Sequence, residues 1–466
     1  MKVCKFGGTS LADARQIVKV QCIVFLDSSR RYIVVSAPGK RSPFDVKVTD
    51  LLKEWYRLNS LGQSSEEIKN LVIDRFVEIA NGFSLKINMN SEFDEISNNM
   101  RLGASEDYLV SRGEYLMAKI VAGALGCEFL DAADCIRFDK NGRHIKDDQH
   151  IRDALESLKG RRVVIPGFYG SKPDGTIKTF SRGGSDVTGA IIARATKADL
   201  YENWTDVSGI LMADPRVVKD PQRIEVVTYQ ELRELTYMGA NVFHEEAMFP
   251  VWEAKINTVI KNTNKPNDPG TLIVSESPKG KNPNIIVGVA GRKDFSVIKV
   301  EKMLMNLQVG FVRQICTILE RKSISFEHTP SGIDTWSVII DDRQLRGQLE
   351  VVASIIRNTM SPDLVVTIPN MALIAVVGKE MVHTPGVAAK VFLALAKKGI
   401  NIRMISQGSS EISIIIGVEN NDYENAIRAI YGAFVVTSVF NPFAKGFLRK
   451  FLFKCSRLLG RLRRSK

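Results

Sequence analysis

Val3-Cys4-Lys5-Phe6-Gly7-Gly8-Thr9-Ser10 opens the chain with a short apolar run, a double glycine and two hydroxyl residues. Val3 to Phe6 reads as a strand and Gly7-Gly8 as a turn. Ser10 with Asp13 fits a capping box, with Ser10 able to cap the helix that follows. Leu11, Ala14, Val18, Cys22 and Phe25 share one face of that helix at a period near 3.6. Tyr32 to Ser36 is too short and too β-branched for a helix and reads as the next strand. The alternation recurs, with strands at Arg162 to Ile165, Leu200 to Trp204 and Thr258 to Lys261. Helices are expected at Tyr115 to Leu125, Val187 to Thr196 and Gln230 to Met238. Strands separated by helices predict an α/β domain whose mostly parallel sheet is sandwiched by helices.

The opening motif suits phosphate chemistry. Glycines let backbone N–H groups approach phosphate oxygens, and a helix N-terminus favours negative charge. A lysine at the strand end can stabilise charge on a phosphoryl group in transfer. A plain strand-to-helix turn with a solvated lysine has the same pattern, so the motif needs company. It is not a Walker A loop, since GxxxxGK[ST] occurs nowhere in the chain. A second glycine turn between strand and helix, Phe180-Ser181-Arg182-Gly183-Gly184-Ser185-Asp186, combines a guanidinium with a carboxylate. An arginine can grip a carboxylate through two parallel hydrogen bonds. The aspartate can hold an ammonium group, position a lysine, or simply cap the helix. Trp204-Thr205-Asp206-Val207-Ser208-Gly209-Ile210, followed by Ala213-Asp214-Pro215-Arg216, is a turn-rich stretch after a strand. Sheets of this kind bind ligands at the C-terminal ends of their strands.

Bulk properties narrow the field. With 466 residues, 25% charged and 44% hydrophobic, the chain is long enough for several ordinary globular domains. No apolar run reaches the 18 or so residues that a membrane span needs. The N-terminus lacks the apolar core of a secretory signal. Six cysteines without CxxC spacing read as idle thiols of a reducing, cytoplasmic setting. The net charge of +12 first points to nucleic acid, but nine basic and no acidic residues lie between Asn441 and Lys466. Removing them leaves 12 − 9 = +3, so the body is near neutral and no nucleic-acid partner is expected.

A polar segment, Ser275 to Asn284, marks a boundary. Beyond it Gly310 to Ile340 aligns without gaps on Gly386 to Ile416, an offset of 76 (386 − 310), with eight of 31 positions identical. The matches include Leu319 with Leu395, Gly332 with Gly408 and Ile339-Ile340 with Ile415-Ile416. Each copy predicts an α+β unit of βαββαβ form.

Together these stretches resemble the aspartate kinases, within the broader amino acid kinase family, from Met1 to about residue 438. The resemblance implies that Lys5, Gly7, Gly8 and Thr9 frame the nucleotide phosphates, with Lys5 and Asp186 catalytic. It implies that Arg182 holds the α-carboxylate of L-aspartate, with Ser185 at the junction of substrate and phosphate. Ser36 matches the family's VSA segment, Thr49 its substrate-binding threonine, and Glu114 in Ser-Arg-Gly-Glu the glutamate that faces the substrate ammonium. Thr205, Asp206, Leu211 and Arg216 fall on nucleotide-binding positions, as do Asn241 and Val242. Three departures stand out. Ser181 replaces a glycine, Asn241 replaces a lysine found near the phosphates in many members, and Leu211 replaces a frequent tyrosine. The loss of the lysine leaves a second phosphate-binding cation to come from elsewhere or be absent. The implied reaction uses ATP with Mg²⁺ and needs no strong general base, because the aspartate nucleophile is already ionised.

The repeat resembles the tandem ACT domains of these enzymes, which typically pair across a dimer and bind an amino-acid effector. This implies a catalytic domain at 1–280 and ACT-like repeats at 295–368 and 369–438, in a homodimer or homotetramer. Met305, Asn306, Gly310, Phe311, Glu327 and Asp334 become the effector site, with lysine the first choice and threonine the second. No metal site is expected in the protein itself. The tail, 441–466, lies outside the family pattern. A solvated extension is the preferred reading, and a basic amphipathic helix on an anionic membrane surface is the other. No dinucleotide-binding half fits after residue 440, so a monofunctional chain is expected. Kinases of glutamate, N-acetylglutamate or UMP, and a non-catalytic amino-acid sensor that kept the fold, are the competing readings.

Overall fold

The computed structural model describes residues 1–435, apart from 84, 86, 182, 241, 242, 244 and 277–284. Arg182, Asn241, Val242, most of the boundary segment and the basic tail therefore lie outside the described residues.

The N-terminal body is built on strands β1 (Lys2–Phe6), β2 (Arg30–Val35), β3 (Glu128–Phe129), β4 (Val163–Pro166), β7 (Leu200–Thr205), β8 (Val226–Thr228), β9 (Asn257–Asn262) and β10 (Thr271–Val274). They form one sheet in the order β3-β4-β2-β1-β7-β9-β10-β8. Every pairing is parallel except β9 with β10. A hairpin of β5 (Tyr169–Ser171) and β6 (Ile177–Thr179) stands apart. Successive residues of the central strands enter opposite cores. Val3 and Val34 pack on one face, and Cys4, Phe6, Ile33 and Val35 on the other. Burial on both faces is what a helix-sandwiched parallel sheet requires.

The opening motif folds differently at one step. Residues Gly8–Leu11 form a 3₁₀ turn, and the α-helix begins only at Ala14. Asp13, not Ser10, caps it by accepting from the Gln16 N–H, while the Ser10 hydroxyl bonds Thr263 Oγ1 at 2.7 Å. This start fixes the helix phase, so Ile17, Val20, Ile23 and Val24 face the core, whereas Val18, Cys22 and Phe25 are exposed. The expected helix at Tyr115 begins earlier, at Glu106. Ser105 accepts there from the Tyr108 N–H, and Glu106 and Asp107 occupy the positive end of the dipole.

Charge is buried across the sheet centre. Glu202 on β7 accepts from Arg30 Nε at 2.8 Å and Trp204 Nε1 at 2.9 Å, and Lys2 Nζ lies 3.4 Å away. Burial pushes the Glu202 carboxyl up, yet the Arg30 bonds and charge, Trp204 and Lys2 hold it below the usual carboxylate value. Arg30→Met should lower the stability of the body by about 3 kcal/mol, because it takes the main cationic partner from a buried carboxylate and leaves it Trp204 and the more distant Lys2. A urea midpoint unchanged by this substitution would show that Arg30 is not the main partner of Glu202.

The C-terminal region forms a second sheet of strands β11 (Gly288–Glu301), β12 (Thr335–Asp341), β13 (Leu364–Val377), β14 (Met404–Gln407) and β15 (Ser413–Glu419), ordered β12-β11-β13-β15-β14. Helices Phe311–Arg321 and Val387–Ala396 occupy equivalent places in the two repeats. Each starts at a glycine in the left-handed region, Gly310 at φ 84° and Gly386 at φ 87°. An L side chain would be strained there. The repeats interlock. Residues 288–292 of β11 pair with 373–377 of β13, and 297–301 pair with 364–368, with register shifts between the two runs. The second βαββαβ unit thus takes its last strand from chain that precedes the first. In the first copy, His328 and Ser331 make only isolated bridges where a strand was expected.

Candidate active site

A cavity of about 800 Å³ opens at the C-terminal ends of β1, β2 and β7. It gathers most of the residues singled out from the sequence: Lys5, Gly7, Gly8, Thr9, Ser36, Thr49, Glu114, Ser185, Asp186, Thr205 and Asp206 all line it. Leu211 and Arg216 do not. Leu211 bridges Arg223, and the exposed Arg216 is ion-paired with Asp214 at 2.6 Å. Arg182 cannot be assigned a place, being outside the described residues.

Glycines let the walls converge. A Cβ on Gly8 would come within 2.9 Å of the Ala37 carbonyl, and one on Gly39 within 2.5 Å of the Gly8 carbonyl carbon. Gly39 N–H donates to Gly8 O at 2.8 Å, which ties the loop after β2 to the turn after β1. Gly113 allows the Glu106–Leu125 helix to approach, since a Cβ there would meet Ala37 Cβ at 2.9 Å. On the opposite side, Gly183 at φ 62° starts the helix Gly184–Ala195 without a side-chain cap. The Asp186 N–H donates to Gly183 O at 2.8 Å, which leaves the N–H groups of Gly184 and Ser185 for an anion, and Gly183, Gly184 and Ser185 are all on the cavity wall.

Two charged features dominate the interior. Lys5 Nζ lies 2.5 Å from Asp186 Oδ1, and both side chains are largely buried. Asn203 Nδ2 donates to the same Asp186 oxygen at 2.9 Å, which fixes the carboxylate that holds the lysine. Glu114 is the second feature. Burial pushes its carboxyl up to about 8, against the pull of the Ala37 N–H, its own N–H and Lys5. Its Oε2 is buried without a hydrogen-bond partner among the described residues. An orphaned buried oxygen on a ligand cavity has a missing partner, and a cationic donor fits it.

Sequence reading missed part of the wall. Lys40, Lys47, Asp50, Lys53 and Phe168 also line the cavity. The lysines had a signal, a Gly-Lys-Arg step and a later lysine on the loop leading to Thr49, but no spacing rule identified them. Ser181, a departure from the family pattern, donates to the Glu246 carboxylate at 3.0 Å and so links the substrate loop to the helix Glu245–Glu253.

The effector positions divide. Met305 and Phe311 are buried, and Asp334 Oδ1 accepts from the Leu304 N–H at 2.8 Å beside them. Glu327 instead engages Arg292 at 3.0 Å and the hydroxyl of Tyr237. Tyr237 ends the helix Tyr229–Tyr237, whose Glu231 and Glu234 accept from the Lys379 N–H at 2.7 Å and Ser413 Oγ at 3.0 Å. One helix of the N-terminal body thus touches both repeats.

Comparison with known proteins gives a consistent answer. Residues 1–262 match the amino acid kinase family and residues 374–434 match an ACT domain. Aspartokinase 3 of Bacillus subtilis (strain 168) is 38% identical over 451 residues, 93% of this chain and 98% of that protein. The crystal structure of Clostridium acetobutylicum aspartate kinase is 48% identical with a TM-score of 0.85, covering 93% of this chain and 99% of that one. E. coli aspartokinase III is 25% identical over 93% of this chain and 99% of its own, both with aspartate and ADP (TM-score 0.71) and with lysine and aspartate (TM-score 0.70).

Proposed function

Because the chain belongs to the amino acid kinase family, as an aspartate kinase with a C-terminal ACT region, we propose that its cavity transfers the γ-phosphoryl group of ATP to the β-carboxylate of L-aspartate. The product, 4-phospho-L-aspartate, is a mixed acyl phosphate. Its activated carbonyl suits the entry step of lysine, threonine and methionine (diaminopimelate) biosynthesis. The observation that carries the reading is the buried Glu114, with one oxygen lacking a partner, on the same wall as the Lys5–Asp186 pair.

Each residue then has a task. Glu114 receives the substrate ammonium, and Arg182, Ser36, Thr49 and Ser185 bind the remaining polar groups of aspartate. Gly8 and Thr9 present N–H groups to phosphate, Gly7 shapes the turn with its own N–H held by the Trp204 carbonyl at 2.9 Å, and Thr205 and Asp206 lie on the nucleotide side. Asp186 and Asn203 hold Lys5 where charge develops. Catalysis is alignment plus charge stabilisation, with no proton to remove from the nucleophile. Among the described residues no cluster of three or more His, Cys, Asp or Glu could hold a metal. A single carboxylate on the wall that is not ion-paired among the described residues, Asp206, would suit a Mg²⁺ ion brought in with the nucleotide. Bound with ATP, the ion neutralises the terminal phosphates.

The domain reading is a catalytic domain at 1–280 and ACT-like repeats at 295–368 and 369–438, the second completed by residues 288–292. Lysine, or else threonine, is the effector. The lysine complex of the E. coli relative supports that choice. Pairing into a homodimer or homotetramer is supported by the exposed Leu304, Leu307, Val309 and Ile333 of the first repeat. Free thiols at Cys4, Cys22, Cys127, Cys135 and Cys316 accord with the reducing cytoplasm. No helix of the described residues is long and apolar enough to cross a membrane.

ATP-dependent aspartyl hydroxamate formation by the purified chain tests the proposal. Hydroxamate from aspartate but not glutamate, suppressed by millimolar lysine or threonine, is the expected result. Absence of hydroxamate from either amino acid would favour an amino-acid sensor that kept the fold.

A further inference from the structure

Transfer between a nucleotide polyphosphate and an aspartate that carries two carboxylates against one ammonium demands uncommitted positive charge. Lys5 is held at 2.5 Å by Asp186. Asp50 and Asp206 add negative charge to the wall. Among the described residues of the wall, the other cations lie on one stretch of chain, the loop after β2 and the helix Val48–Ser60 that follows it. Lys40, Lys47 and Lys53 line the cavity, are exposed, and have no ion pair or side-chain hydrogen bond among the described residues.

The loop that carries them is braced. Buried Arg75 donates to Gly39 O at 2.7 Å and to Asp45 at 2.8 Å. Arg41 also binds Asp45, at 3.1 Å, and Glu78 at 2.9 Å. Both arginines of the brace are therefore committed to carboxylates, while the lysines beside them are not. Lys40 is the best placed of the three. Its neighbour Gly39 is bonded to Gly8 at 2.8 Å and packed so closely that a Cβ would come within 2.6 Å of the Thr9 nitrogen. Consecutive Cα atoms are about 3.8 Å apart, so Lys40 begins one step from the phosphate turn.

We propose that Lys40 is a catalytic residue that binds the transferred phosphoryl group, on the face opposite Lys5. The inference rests on the aspartate kinase reading. Lys47 and Lys53, farther along the loop and helix, screen the acceptor side and contribute less. As an exposed side chain without partners, Lys40 can be replaced without disturbing the fold.

The test uses the full chain with Lys40→Met, Lys40→Arg and Lys47→Met, each compared with the wild type by circular dichroism and kinetics. Lys40→Met should lower kcat/KM for ATP by about 100-fold, with KM for aspartate within about twofold of wild type. Lys40→Arg should regain part of the loss, and Lys47→Met should lose less than about tenfold. Nucleotide binding without aspartate separates the two readings. Lys40→Met should weaken MgATP by about tenfold and MgADP by less than about twofold. An unchanged ATP-to-ADP affinity ratio, or a defect confined to KM for aspartate, overturns the role of Lys40. A wild type that binds MgATP but forms no hydroxamate sinks the aspartate reading instead, and the affinity ratio still decides on Lys40.

Discussion

Lys5→Ala should reduce kcat by about 1,000-fold, with KM for aspartate changing far less. The magnitude has two sources. The substitution removes the one cation at the end of β1 that sits inside the cavity. It also strands Asp186, which lies 2.5 Å from Lys5 Nζ and, among the described residues, would retain only the Asn203 amide for its carboxylate. An unpaired carboxylate beside the incoming phosphates repels the group that Lys5 attracted. The two contributions are separable, because neighbouring residues that share an interaction are not additive. Lys5→Ala/Asp186→Ala should be no slower than Lys5→Ala alone and should recover up to about tenfold. Lys5→Arg should fall between, since a planar guanidinium cannot reproduce a compact ammonium beside Asp186. Steady-state rates of all four proteins decide the matter. A Lys5→Ala enzyme within tenfold of wild type would remove Lys5 from the catalytic centre.

The parts of this site that were legible in the sequence are those with local signatures. Glycine turns between strand and helix bring backbone N–H groups together, so the 5–10 and 181–186 segments, taken in company, pointed to an anion site at the C-terminal ends of strands. The fixed 76-residue offset exposed the tandem units because their left-handed glycines, Gly310 and Gly386, recur in register. What local pattern could not supply was phase and partnership. The first helix carries apolar residues on two adjacent stripes, and only the position of Asp13 as cap determines which is buried. The interlocked strands 288–292 and 373–377 join segments some 80 residues apart, beyond any local rule. The lysine-bearing loop was silent for a related reason. Lys40 matters because Gly39 is pinned to Gly8, a contact between turns that follow different strands. Glu114 sat inside a motif, but its unsatisfied oxygen is a property of packing alone.

That oxygen gives the second large effect, a proton released when aspartate binds. With its carboxyl raised from 4.5 to about 8 by burial, Glu114 is mainly protonated at pH 7 in the ligand-free protein. An ammonium against it favours the ionised form, so binding at pH 7 should release about one proton per aspartate. The association constant should rise about tenfold per pH unit from 6 to 8 and level off above. The sign for stability is the reverse. A folded-state value above the unfolded one means that the native chain binds the extra proton. The stabilisation this group provides is complete below about 4.5 and lost as pH rises toward about 8. Ligand-free protein should therefore melt lower at pH 8 than at pH 6 through this group, and saturating aspartate should narrow the difference. Glu114→Gln keeps the size and loses the charge. It should abolish the proton release, flatten both pH dependences and weaken aspartate about 100-fold at pH 8.5, because one member of a buried ion pair is gone. Calorimetric titration in two buffers of different ionisation enthalpy measures the proton count directly. Equal apparent enthalpies for the wild type in both buffers would show that Glu114 keeps one protonation state when aspartate binds. Its role as receptor of the substrate ammonium would then need no switch in protonation, and the flat profile expected for Glu114→Gln would no longer set it apart.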